Sequence, residues 1–148
     1  MIQWQWDRFA DLSAPQLYAV CAAREAVFVV EQSCPYQELD GLDLDAMHLI
    51  GWSGSEVAAY LRVLGPGVRY AEPSIGRVLT SKPMRGTGIG RTLVEMSLEY
   101  IDRHHPGRGV RISAQAHLER FYGSLGFVTV SERYLEDDIP HVQMLRPG

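Results

Sequence analysis

The sequence is poor in cysteine, has no basic surplus and contains no long apolar run, and each shortage removes a class of protein. Cys21 and Cys34, the two cysteines among 148 residues, form neither a C-x-x-C pair nor a zinc-ligand spacing. No disulfide framework and no metal site is therefore expected, and the chain reads as one kept in a reducing compartment. Fourteen basic against 18 acidic side chains give a formal net charge of −4, whereas a general nucleic-acid binder carries a basic surplus or stripe. No apolar stretch reaches the ~18 residues of a membrane span. The opening MIQWQWDRF has Gln and Asp where a secretory signal is cationic and then apolar. Repeats and low-complexity tracts are also absent. The expectation is a soluble, cytoplasmic protein without nucleic-acid or membrane partners. Residues 1–148 fit a single domain, since a chain of this length buries roughly 70% of its unfolded surface.

What is present is a periodic pattern that changes element by element. Ile2, Trp4 and Trp6 alternate with Gln3, Gln5 and Asp7, the period of a half-buried strand. Ser13 with Gln16 three residues on is a capping box that opens a helix. Leu17, Val20, Cys21, Val27 and Phe28 hold one face of that helix, and Arg24 falls anomalously on it. Residues 31–45 are acidic and long for a connection, either a functional loop or partly helical. Residues 48–52 and 57–63 flank Ser53-Gly54, a hairpin signal, and 75–80 reads as a strand. Residues 88–103 form a helix apolar on most sides, and so buried. A strand over 110–114, a short helix over 117–125 ended by Gly126, and closing strands over 127–133 and 141–145, joined across 137–140, complete the chain. Hairpins mixed with helical crossovers imply an α/β fold with a mixed sheet and helices on its faces.

The strongest local signal is Arg85-Gly86-Thr87-Gly88-Ile89-Gly90-Arg91, between a strand and the buried helix. Glycines let backbone N–H groups approach an anion, and the helix that follows directs its positive end at the same place. Arg85 and Arg91 add charge-assisted contacts, so the segment suits a phosphate or pyrophosphate. A P-loop is excluded because Arg91 stands where Lys is required, and a dinucleotide fingerprint because the spacing is G-x-G-x-G. A tight turn that uses glycine only for its geometry remains open.

The second half narrows this. Residues 116–127, AHLERFYGSLGF, resemble the A-x-x-x-x-F-Y-x-x-x-G-F segment of the GNAT superfamily of N-acetyltransferases, about 30 residues after its R-x-x-G-x-G loop. In the first half, residues 24–32 (REAVFVVEQ), Cys34-Pro35-Tyr36, Glu38, Asp40-Gly41 and His48-Leu49 resemble the ElaA-like branch of that superfamily. The resemblance implies a GNAT fold, a twisted sheet whose middle strands splay apart around acetyl-CoA. It implies that Arg85, Gly86, Thr87, Gly88, Ile89, Gly90 and Arg91 hold the pyrophosphate. Val78, Leu79 and Thr80 meet the pantetheine arm, with Gln115, Ala116 and Phe121 also beside the cofactor. A backbone N–H near Leu79 becomes the oxyanion donor and Tyr122 the general acid. By spacing alone, Leu118, Phe121, Tyr122 and Leu125 are an ordinary helix core face.

Acyl transfer to nitrogen also needs a proton acceptor. The strand at Ile75-Gly76-Arg77-Val78 offers no acid, which leaves Glu31, His48 and His141 as candidate bases or acceptor-side residues. Seven acids and no Lys or Arg lie in residues 25–61, which suggests an acidic funnel for a cationic acceptor, a small molecule or a peptide amine. Arg24 is expected to anchor the acidic loop through Glu31, Glu38 or Asp40. A homodimer through an edge strand and a non-catalytic acyl-CoA-binding regulatory module are the open alternatives.

Overall fold

Alternation at the N-terminus does produce a strand, β1 (Gln3–Arg8), followed by β2 (Met47–Ser53), β3 (Glu56–Leu64) and β4 (Ser74–Thr80). The computed structural model describes residues 1–148 and pairs these four antiparallel in that order. The two-residue period sorts their side chains by face. Leu49, Leu61 and Val63 enter the larger core beneath helix α2 (Ile89–His104), while Ile50 and Tyr60 enter a smaller core beneath α1 (Ala14–Arg24). Gly51 is required by a close approach, because a Cβ there would lie 2.8 Å from the Trp4 ring.

The expected capping box starts α1: Gln16 N donates to Ser13 Oγ at 3.2 Å, and Ser13 N to Gln16 Oε1 at 3.0 Å. The helix does not continue regularly to Phe28, as its apolar pattern suggested. Residues Glu25–Glu31 form a π-helical turn instead. The wider turn buries Phe28 beside Val20 and Tyr60 and leaves Glu31 within reach of Arg85.

The second half adds β5 (Val110–Gln115), α3 (Glu119–Gly123), β6 (Val128–Thr129), β7 (Tyr134–Glu136) and β8 (Ile139–Arg146). Strand β8 pairs with β5 on one edge and with β6 and β7 on the other, always antiparallel. The strand expected over 127–133 is cut to two residues. Val130 N still donates to Gln143 O at 2.9 Å, but Ser131 Oγ takes the N–H of Gln143 at 2.8 Å, so a side chain replaces half of the next rung of the ladder. The turn before β8 is also tighter than expected, confined to Asp137 and Asp138.

The parallel part of the sheet shrinks to a single rung. Strands β4 and β5 meet where they begin, Arg111 N donating to Pro73 O at 3.0 Å, and then separate. A bulge in β4 accompanies the separation. Tyr60 pairs with Leu79 and Arg62 with Gly76, so Arg77 and Val78 both stand opposite Leu61. Arg77 takes φ +53°, a left-handed conformation uncommon for a side-chain-bearing residue.

What holds Arg77 there is a buried ionic network. Arg24 Nε donates to Glu38 Oε2 and its Nη1 to Asp43 Oδ1, both at 2.7 Å. Arg62 Nη2 reaches Asp40 Oδ2 at 2.7 Å and its Nη1 reaches Asp43 Oδ1 at 3.0 Å. Arg77 Nε donates to Glu38 Oε2 at 2.8 Å, and its Nη2 to the Glu38 carbonyl at 3.1 Å. Three arginines thus meet three carboxylates, and the loop after α1 is clamped to β3 and to the bulge. Burial pushes Asp40 and Asp43 up, but hydrogen bonds from Arg62 and Arg24 outweigh it, and both carboxyls sit below their ordinary range.

Two outcomes follow. Arg24→Met leaves Glu38 and Asp43 with one arginine each in place of two, an excess of buried negative charge, and is expected to cost about 3–5 kcal/mol in urea unfolding. Arg8→Met, at an exposed pair with Asp11, should cost less than about 1 kcal/mol; equal losses would contradict the network's role. Because the folded pKa values of Asp40 and Asp43 are lowered, the stability they lend is full above about pH 4 and disappears as the pH falls through the folded values. Circular dichroism should accordingly show acid unfolding beginning below about pH 4, with a shallower slope in Asp40→Asn.

Candidate active site

The gap between β4 and β5 is a cleft of about 440 Å³. One wall is β4 from Ile75 to Thr80 and the other β5 from Ile112 to Gln115. Val27, Phe28 and Glu31 of the π-helical turn and Tyr122 of α3 complete it. Ser81 N bonds Ala58 O at 2.9 Å, and Leu79 pairs with Tyr60 in the same register. Hydrogen-bonded positions alternate along an antiparallel ladder, so Leu79 directs its backbone groups to β3 while Val78 and Thr80 turn theirs to the open edge. The cleft-facing N–H near Leu79 is therefore that of Val78.

At the glycine loop, Gly86 and Gly88 adopt φ +82° and +86°. No side chain caps α2, and Thr92 N bonds back to Gly88 O. The N–H groups of Ile89, Gly90 and Arg91 are thus without helical partners, at the positive end of a 16-residue helix. Arg91 Nη1 donates to Ser124 Oγ at 2.9 Å, which ties this helix start to the end of α3. Thr87 Oγ1 donates to Met84 O at 2.6 Å and shapes the loop.

Arg85 lines the cleft, and its guanidinium grips Glu31, Nη1 to Oε2 at 2.7 Å and Nη2 to Oε1 at 2.9 Å. Those hydrogen bonds hold the Glu31 carboxyl below its ordinary pKa. Tyr122 is buried between Phe121 and Phe127, which meet it edge-on at 5.1 and 5.7 Å, yet it also lines the cleft. Burial raises its phenol pKa, so the proton stays on oxygen at neutral pH.

The structure thus gathers Val78, Leu79, Thr80, Arg85, Gln115, Tyr122 and Glu31 on one cleft, with the loop 86–91 following directly on Arg85. Ala116 and Phe121 lie behind it, packed into or against the core. His48 is not part of the cleft. It is 1% exposed under α1, with Nδ1 2.6 Å from the Tyr60 hydroxyl and Nε2 2.9 Å from Asp43 O. Burial lowers its pKa, and with both ring nitrogens engaged it cannot serve as base or acceptor contact.

The acidic funnel is also corrected. Glu38, Asp40 and Asp43 are matched by Arg24, Arg62 and Arg77, all three of which lie outside the stretch where no basic residue occurs. Arg24 bonds Glu38, as expected, and Asp43, but not Glu31.

Sequence reading missed Ser113, Glu136, Asp137 and Arg69, which line the cleft together with His141. The signal was Asp137-Asp138, a pair suited to a two-residue hairpin turn with positive φ. Placing the turn there aligns Tyr134 with His141 and Glu136 with Ile139.

Comparison with known proteins agrees with this geometry. A family model described as "Acetyltransferase (GNAT) domain" matches residues 17–146. The chain is 47% identical to Protein ElaA of Escherichia coli over 148 residues, covering 99% of this chain and 97% of that one. It is similar to a crystal structure of an acyl-CoA N-acyltransferase from Pseudomonas aeruginosa (TM-score 0.94, 48% identity, 99% of each chain). It is likewise similar to the crystal structure of Escherichia coli ElaA (TM-score 0.93, 46% identity, 99% of each chain).

The placement of His48 predicts a separation of stability from turnover. His48→Gln should lower stability by about 1–3 kcal/mol in urea unfolding, through unsatisfied buried groups, while kcat/KM stays within about threefold of wild type. A hundredfold loss of kcat/KM with unchanged stability would return His48 to the site.

Proposed function

The chain belongs to the GNAT acetyltransferase family, whose members are acyl-CoA-dependent acyltransferases, and from that premise we propose that it moves an acetyl group from acetyl-CoA to a primary amine by direct attack. The acceptor is a cationic small molecule or a peptide-borne amine. The observation that carries this reading is the placement of Tyr122, a buried phenol on the wall of the cleft between the splayed strands.

The residues present fit the cosubstrate. A pantetheine arm needs amide partners along an open strand edge, and Val78 and Thr80 supply them. A pyrophosphate needs clustered N–H donors and positive charge. The loop from Arg85 through Gly86, Thr87, Gly88, Ile89 and Gly90 to Arg91 offers both. When bound, acetyl-CoA supplies an acyl carbon activated as a thioester.

This chain's own groups do the rest. The Val78 N–H stabilises negative charge that develops on the acyl oxygen, a contribution that is large where water is excluded. Tyr122 donates its phenolic proton to the departing sulfur. At the cleft Glu136 is paired with Arg69 and Glu31 with Arg85, so Asp137, exposed in the turn, is the carboxylate that favours a positively charged acceptor over an anionic one. Glu31 is bound to Arg85 and acts in this reading as a partner of the loop, not as the base.

The test is release of CoA thiol from acetyl-CoA with spermidine, tyramine, a lysine-bearing peptide and aspartate as acceptors. Turnover should be confined to the cationic amines. Tyr122→Phe should lower kcat by about 10²–10⁴-fold and leave the KM for acetyl-CoA within about threefold. Binding of acetyl-CoA without thiol release on any amine would contradict the reading and leave a regulatory binding module in its place.

A further inference from the structure

We propose that His141 is the base that takes the proton from the acceptor nitrogen, and that Glu136 is the residue that positions it and stabilises its charge. This rests on the acetyl-transfer reading above and supplies the proton acceptor which that reading lacks.

The two-residue turn at Asp137 and Asp138, with φ +51° and +62°, joins β7 to β8 in the tightest hairpin geometry. His141 therefore pairs with Tyr134 on one side and with Gln115, at the end of β5, on the other. That is where the two central strands are furthest into their separation, and the His141 side chain lines the cleft while only 8% exposed. Its Nδ1 lies 2.7 Å from the Ile139 carbonyl. A carbonyl only accepts, so in the neutral ring Nδ1 carries the hydrogen and Nε2 holds the free lone pair.

Nε2 is 3.5 Å from Glu136 Oε2. Two acceptors gain nothing from that approach until the ring takes up a proton, when the contact becomes an ion pair. The carboxylate is fixed in place, with Ser113 Oγ and Arg69 Nη2 each donating to Oε1 at 3.3 Å. The Tyr134 ring stacks on the imidazole at 6.1 Å between centroids, and its hydroxyl is bonded to Ser113. The charged and titratable groups around His141 are therefore Glu136 and Tyr134 on β7, Asp137 in the turn and Arg69 across the cleft. The other candidates are engaged: both oxygens of Glu31 by Arg85, and both nitrogens of His48 by Tyr60 and Asp43.

The protons balance. An ammonium acceptor gives up one proton before attack and a second once the C–N bond has formed and the C–S bond breaks. His141 Nε2 accepts each in turn and returns it to solvent. Tyr122 protonates the departing thiolate and is itself reprotonated from solvent. The net products are amide, CoA thiol and one released proton.

The test is the pH profile of kcat/KM for wild type, His141→Gln and Glu136→Gln, with spermidine, tyramine and the lysine-bearing peptide as acceptors. Acetyl-CoA binding by calorimetry is measured for each variant alongside. His141→Gln should lose about 100-fold or more in kcat/KM, bind acetyl-CoA normally and lack the acidic limb of the wild-type profile. Glu136→Gln should lower kcat by about tenfold and leave the KM for acetyl-CoA within about threefold of wild type, because the imidazolium formed during turnover loses the counter-charge 3.5 Å from Nε2, a split that a merely structural role would not produce. Should His141→Gln fail to bind acetyl-CoA through misfolding, Glu136→Gln carries the test: an unchanged kcat overturns the proposal. Activity of His141→Gln within about threefold of wild type, or an unchanged acidic limb, overturns the base and leaves acetyl transfer standing. Wild-type protein that acetylates none of these amines overturns the acetyl-transfer reading and the base with it.

Discussion

The arrangement depends on six charged side chains that share a dry space beneath α1. Arg24, Arg62 and Arg77, from a helix end, a central strand and a bulge, meet Glu38, Asp40 and Asp43 of the loop that follows α1. Burying one ion is expensive, and a matched set is tolerated only when nearly every donor and acceptor finds its partner. Arg62 Nε alone remains unpartnered. Removing one member leaves the buried charges of the others unbalanced, so the set acts as a lock. Its consequence for the site is local. Arg77 is kept in a left-handed conformation that a strand residue would otherwise leave, and the bulge it makes keeps β4 from pairing with β5.

Once those strands are prevented from closing, the remaining features of the site follow. An unpaired edge of β4 faces inward with its amides at Val78 and Thr80. The crossover helix must begin beside that edge, and glycine at 86 and 88 leaves its first N–H groups open. Short α3 then sets Tyr122 against the cleft, where burial keeps its proton in place. The same separation opens onto the β7–β8 hairpin, whose Glu136 and His141 line the cleft. The chemistry of a GNAT acyltransferase thus arises from one failure of strand pairing, which the ionic lock maintains.

Much of this was legible in the sequence where the determinants were local. Ser13 and Gln16 cap a helix at three-residue spacing, Ser53-Gly54 marks a hairpin, and Arg85 to Arg91 announces an anion loop. The rest was written in pairs far apart along the chain. Counting acids over residues 25–61 suggested a negative field, but charge along a sequence is not charge in space. Arg62 lies one residue past that stretch and Arg77 closes from 39 positions away from Glu38. Periodicity extended α1 to Phe28 because a π-helical turn keeps an apolar residue facing inward without announcing its extra width. His48 was indistinguishable from a site histidine until its two buried partners were seen, and His141 gained its meaning only when the turn at Asp137 and Asp138 set its register.

The central claim is that the loop after α1 and the bulge in β4 are one energetic unit. Hydrogen exchange of backbone amides in wild type and in Arg77→Met tests it most directly. The account predicts that residues 32–45 and 76–80 lose protection together in the variant, while α2 and the β5–β8 ladder exchange as before. Faster exchange of residues 32–45 with an unchanged β4 would contradict it, and would mean that the strands part for reasons that owe nothing to the ionic lock.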